Sequence, residues 1–153
     1  MKIIPVIFLL LIIAFSGCRN DEDFESSMNA TAEGSEWCTI TRIAELDQNN
    51  HFIITGTSED EKVIILTVYG DEEDTYTLFA DSTKVEFSAT FVRNIEENPE
   101  EVYTATSGEV IITKHKKREH RISGSFHFNA TAPEGNISIT NGEFENLKYT
   151  TGE

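Results

Sequence analysis

Apolar and polar residues alternate with a period of two in two stretches of the chain. Over residues 85–93, Val85, Phe87, Ala89 and Phe91 share one face, and Glu86, Ser88 and Thr90 share the other. Over residues 121–130, Ile122, Gly124, Phe126 and Phe128 fall together, with Ser125 and His127 opposite. A strand with one buried face gives this pattern, because successive side chains point to opposite sides of a sheet. Residues 35–43, which contain Trp37, 51–57, 75–79, 102–106, 110–114, 136–141 and 143–149 read as further strands. Residues 63–69 are nearly all branched or apolar, which predicts a central strand covered on both faces.

Between these segments lies turn chemistry. It comprises Asp47-Gln48-Asn49-Asn50, Gly70 to Asp74, Asp81-Ser82-Thr83, Asn94 to Glu100 with Pro99, Ser107-Gly108 and Pro133-Glu134-Gly135. Asn141-Gly142 fits either a two-residue hairpin turn or a bulge in one long final strand. No segment longer than ten residues carries a helical period. The fold class expected is all-β: an antiparallel sandwich or an up-and-down, calycin-like barrel of about 8–10 strands.

The first residues break this pattern. Met1-Lys2 gives a short positive start, and residues 3–15 form an apolar run interrupted only by Pro5. The run is too short for a membrane span, which needs roughly 20 apolar residues, and fits the apolar region of a secretory signal. Phe15-Ser16-Gly17-Cys18 follows it and resembles the lipobox of bacterial lipoproteins, with Phe in place of the commoner Leu. That resemblance implies cleavage after residue 17 and a lipid on the Cys18 thiol. Behind Cys18, residues 19–29 are polar and acidic, as in a solvated tether. Asp21-Glu22-Asp23 also resembles the export signal of surface lipoproteins of the Bacteroidetes group. The organisation expected is a signal peptide over 1–17, a lipidated tether over 18–30 and one all-β domain over 31–153. The location expected is the cell envelope, as an outer membrane lipoprotein facing either the cell surface or the periplasm.

Charge narrows the partners. The chain carries 12 Lys and Arg against 27 Asp and Glu, a net charge of −15. Loss of Lys2 with the signal peptide takes the mature chain to −16. Such a chain does not suit nucleic acid, which rewards basic side chains opposite phosphates, or flat contact with anionic headgroups. The membrane is therefore expected as a partner only through the lipid on Cys18. With Cys18 so used, Cys38 remains alone, and a buried structural thiol is expected.

The basic residues cluster. Lys114, Lys116, Lys117, Arg118 and Arg121 fall within eight positions. Such a hairpin tip either grips an acidic glycan, a phosphate or a partner's carboxylates, or keeps a sheet edge soluble. His51, His115, His120 and His127 lack the spacing of a zinc site. The acidic runs at 59–61, 71–74 and 96–101 lack the alternating spacing of a calcium loop. No metal and no cofactor is expected. Nucleophile motifs are absent, and no pair among the many carboxylates stands out as a glycosidase pair.

"NATAEGSEW", "GEVIITKH", "RISGSFHFNA" and "ISITNGEF" together resemble uncharacterised small lipoproteins of the Bacteroidetes group. That resemblance covers most of residues 28–149 and implies an all-β envelope domain with no assigned chemistry. It marks Ala32, Gly34, Trp37, Gly124, Phe126, Gly142 and Phe144 as fold residues. The function expected is a non-catalytic binding or accessory module for a glycan, protein or small apolar ligand. Tyr69, Tyr76, Tyr103, Tyr149 and Trp37 are its candidate contact residues. The alternatives are a structural component of envelope assembly, or a carboxylate-based hydrolase.

Overall fold

The computed structural model describes residues 26–79, 81, 83–93 and 101–152. The signal peptide, Cys18 and most of the tether lie outside the described residues. Nine strands form among the described residues: β1 (Ser27–Ala32), β2 (Ser35–Leu46), β3 (Phe52–Ser58), β4 (Val63–Val68), β5 (Thr75–Leu78), β6 (Phe87–Val92), β7 (Val102–Lys116), β8 (Arg121–Ala132) and β9 (Gly135–Thr151). Eight of them pair in chain order, β1-β2-β3-β4-β6-β7-β8-β9, and β9 returns to β1. This is a closed antiparallel barrel, and closure removes the unpaired edges an open sheet would carry. β5 stands outside the ring and pairs only with β7.

The barrel is built on alternation. Inward positions are apolar, including Phe52 and Ile54 on β3, Ile64 and Leu66 on β4, and Phe126 and Phe128 on β8, and they form one continuous buried cluster. An eight-stranded barrel has an interior about wide enough for side chains to fill. Large and small residues interlock there. An ideal Cβ on Gly124 would lie 2.5 Å from Cζ of Phe144, and one on Gly142 would lie 2.5 Å from the ring of Phe126. Of the residues marked by sequence motif, Ala32, Trp37, Phe126 and Phe144 are buried. Outward positions of β8 are Ser123, Ser125, His127, Asn129 and Thr131. That one strand is polar on its outer face, unlike the apolar band of a membrane-spanning strand. No helix among the described residues is long and apolar enough to cross a membrane.

Four differences from the sequence reading have clear causes. β1 begins at Ser27, inside the stretch read as tether, because Met28, Ala30 and Ala32 alternate inward. β7 runs unbroken through Ser107-Gly108, with a register shift between Ala105 and Ser107. β9 likewise continues through Asn141-Gly142. There the residue in the left-handed region is Asn141, at φ 50°, so the bulge is the correct alternative. Finally, β4 is buried along its whole inner face, but its outer face is covered only at Val63, and Ile65 and Thr67 remain half-exposed.

The outer wall that includes β4 has an unusual composition. Cross-strand register sets it out in three rows. The first is Thr41, Thr57, Val63, Val92 and Val102. The second is Ile43, Thr55, Ile65, Thr90 and Thr104. The third is Glu45, Ile53, Thr67 and Ser88. Glu45, at one corner, is the one charged position in these rows.

Candidate functional site

The richest chemistry gathers at the barrel end formed by the β2–β3 turn, the β7–β8 turn and the segment joining β4 to β5. Phe52, at the start of β3, meets the rings of His115 and Tyr149 edge-on, each at 5.1 Å between centroids. His120 stacks on the Tyr149 ring at 5.2 Å. His115 Nδ1 lies 2.6 Å from the Asp71 carbonyl, and its Nε2 lies 2.8 Å from the Tyr149 hydroxyl. A carbonyl only accepts, so Nδ1 carries the proton, and in the neutral ring Nε2 accepts from the tyrosine. Burial, and then the nearby Asp71 carboxylate, push the Tyr149 hydroxyl above its ordinary pKa. Beside this group His51 meets Tyr69 at 5.1 Å and lies 3.3 Å from Asp47.

The acidic segment Asp71 to Asp74 straps this end. The Glu73 carboxylate accepts from the His115 backbone N–H at 2.7 Å. The Tyr76 hydroxyl donates to the Glu72 carbonyl at 3.0 Å and accepts from the Glu72 N–H at 3.1 Å. Gly70 makes room for this, since an ideal Cβ there would sit 2.7 Å from the Tyr76 ring. Lys117 Nζ lies 3.1 Å from Glu72 and 3.2 Å from Asp71. Those hydrogen bonds, Glu72 first, raise the Lys117 pKa.

The five basic residues singled out from sequence do converge on one hairpin, Lys114 and Lys116 on β7, Lys117 and Arg118 in the turn, and Arg121 at the head of β8. The fold already engages several of them. Lys117 holds the strap, Lys116 meets Glu119 at 3.3 Å, and Arg121 donates to the Asn146 carbonyl at 2.8 Å. Lys114 and Arg118 are exposed. The acidic run 71–74 is therefore the intramolecular counterpart of the basic tip, a pairing invisible in sequence because more than 40 positions separate the partners.

The aromatic contact candidates are corrected by burial. Tyr103, Tyr149 and Trp37 are buried and Tyr76 is half-buried; Tyr69 is exposed. The Trp37 indole donates to the Lys62 carbonyl at 3.2 Å, across the opposite end of the barrel. At that end Arg93 bonds Glu33 and Glu101 and lies 5.0 Å above the Tyr103 ring. Cys38 is also corrected. It is half-buried in β2 rather than fully buried.

Catalytic or metal chemistry would need groups that converge without being consumed by the fold. Among the described residues no three His, Cys, Asp or Glu side chains gather as a metal set. Every buried side-chain polar atom among them has a hydrogen-bond partner. The sequence over residues 25–148 matches the family described as Domain of unknown function (DUF6252). The chain belongs to that family. No curated protein and no solved structure matches it. The DUF6252 match takes in all of β1 and most of β9, so the family unit coincides with the closed barrel.

Proposed function

We propose that this DUF6252 protein is a non-catalytic envelope lipoprotein whose barrel acts through its outer surface. The observation that carries this reading is the filled interior. Large apolar side chains occupy the positions where a ligand-binding barrel keeps space, and the polar groups at the histidine–tyrosine end are engaged with one another. A glycan or a protein is the partner class that suits an outer surface. Anchoring rests on the lipobox ending at Cys18. Several acyl chains, at about 0.8 kcal/mol per buried CH2, would hold the domain firmly to a bilayer. The chain from Cys18 to Ser27 reaches at most roughly 30 Å when extended, which keeps the barrel close to the membrane.

Cys18→Ser should release the protein from the membrane fraction; retention of the variant there would defeat the lipoprotein reading. Proteinase treatment of intact against lysed cells then assigns the side: digestion in intact cells places the barrel outside, and protection until lysis places it in the periplasm. For partner capture by the basic hairpin, Lys114→Ser with Arg118→Ser is the clean variant. Replacing Lys117 would also free the acidic strap.

A further inference from the structure

The wall formed by β2, β3, β4, β6 and the start of β7 stands apart from the rest of this strongly acidic chain. Thirteen of its fourteen outward positions are uncharged, and twelve of these are Thr, Val or Ile; Val63 and Val92 among them are already buried within the chain, leaving twelve positions open. Ile43 is 62% exposed, and Ile40 in the adjoining bulge is 56% exposed. The carboxylates instead crowd the barrel ends, at Asp47, Glu59 to Glu61, Asp71 to Asp74 and Glu101.

We propose that this wall is a self-association surface on which a second copy of the chain docks. In a two-fold contact a patch meets its own copy, so any charge in it faces the same sign. Two chains of net charge −15 repel, and they can approach most closely where a wall is free of charge. A basic partner of a different kind would be drawn to the acidic ends rather than to this face. A lipid surface would leave the threonine hydroxyls without partners. Threonine and branched aliphatic side chains facing each other are the usual filling between two packed sheets, which stack about 10 Å apart. Five strands spaced ~4.8 Å and three rows spaced ~6.8 Å, less the two buried positions, give a footprint of roughly 400 Å² per copy. Both copies together bury on the order of 800 Å², in the range of weak, transient contacts. The dimer is therefore weak, and confinement to a membrane plane would favour it. The proposal does not depend on lipidation, since the wall exists with or without the anchor.

The test is photo-crosslinking of the full chain in its native cells. A photoreactive residue replaces Thr55, in the middle row of the wall, or Ser125 on the opposite wall. A crosslinked homodimer from position 55 and none from position 125 is the result expected. Ile43→Glu should reduce that product about tenfold, because the two copies would bring like charges together, while the variant's thermal melt stays within a few degrees of the parent. Purified full chain in neutral detergent should associate more at high salt, since screening relieves repulsion between the acidic ends. No crosslink at position 55, a crosslink there to a different protein or to lipid, or a homodimer indifferent to Ile43→Glu would each overturn the proposal.

Discussion

An ideal Cβ on Gly124 would lie 2.1 Å from the Ile111 carbonyl oxygen and 2.5 Å from the Phe144 ring, so this glycine is set by space. Gly124→Ala should destabilise the barrel by about 1–3 kcal/mol, as overpacking of a dense core does, read from urea denaturation. Tyr149 and His115 make the complementary case. Tyr149→Phe keeps the packing but deprives His115 Nε2 of its donor, for a cost of about 1–2 kcal/mol. Glu86 supplies a pH signature. Lys84 first, and then the backbone and hydroxyl of Thr77, hold its pKa at about 2, against 4.5 unperturbed. A depressed carboxylate stabilises above its unfolded pKa, and that stability is lost as pH falls from 4.5 towards 2. Glu86→Gln should therefore flatten the acid limb of stability measured across that window. At this scale the sequence was informative wherever a residue has one habitual role. Trp37, Phe126 and Gly124 could be read as fold residues, but Tyr103 and Tyr149 could not be told from surface contacts, because tyrosine serves both ends of the polarity scale.

Strands with clean alternation were legible, and those with small or interrupted apolar faces were not. β1 presents only Met28, Ala30 and Ala32 inward, directly after an acidic stretch, so its composition matched a tether. The sequences of β7 and β9 leave a break open at Ser107-Gly108 and Asn141-Gly142, because Ser-Gly and Asn-Gly mark turns as readily as bulges. β5 carries its own protection. Its outer edge is capped where the Glu86 carboxylate accepts from both the N–H and the hydroxyl of Thr77, each at 2.9 Å. A charged cap on an exposed edge discourages pairing with another chain. The acidic strap is an element held by side chains alone at several points. Lys117→Ser with Tyr76→Phe should raise hydrogen exchange across residues 70–74 severalfold and leave the melting temperature nearly unchanged, since exposed ion pairs contribute about 0–1 kcal/mol.

Sandwich and barrel were indistinguishable in the sequence because both bury one face of each strand with the same period. The choice rests on which strands pair across the greatest separation, here β1 with β9. Nor could the pattern reveal that the branched residues of β4 join those of β2, β3 and β6 in one outer wall. Such a run predicts a doubly covered strand, whereas Ile65 and Thr67 on its outer face are half-exposed. The histidine–tyrosine end was equally hidden, because it joins positions 52, 71, 115, 120 and 149.

The seam between β1 and β9 also governs when the fold can form. β1 lies between β2 and β9, and past its start β9 bonds β2 directly, from Ala44 opposite Tyr149 to Leu46 opposite Thr151. The first strand of the domain thus waits for the last, more than 100 positions later. Contacts of such long range slow folding. A chain emerging N-terminus first would hold β1 to β8 as an open sheet with two bare edges until residue 151 appeared. For that interval its safety would depend on whatever keeps neighbouring chains apart, and a net charge of −15 is itself such a deterrent.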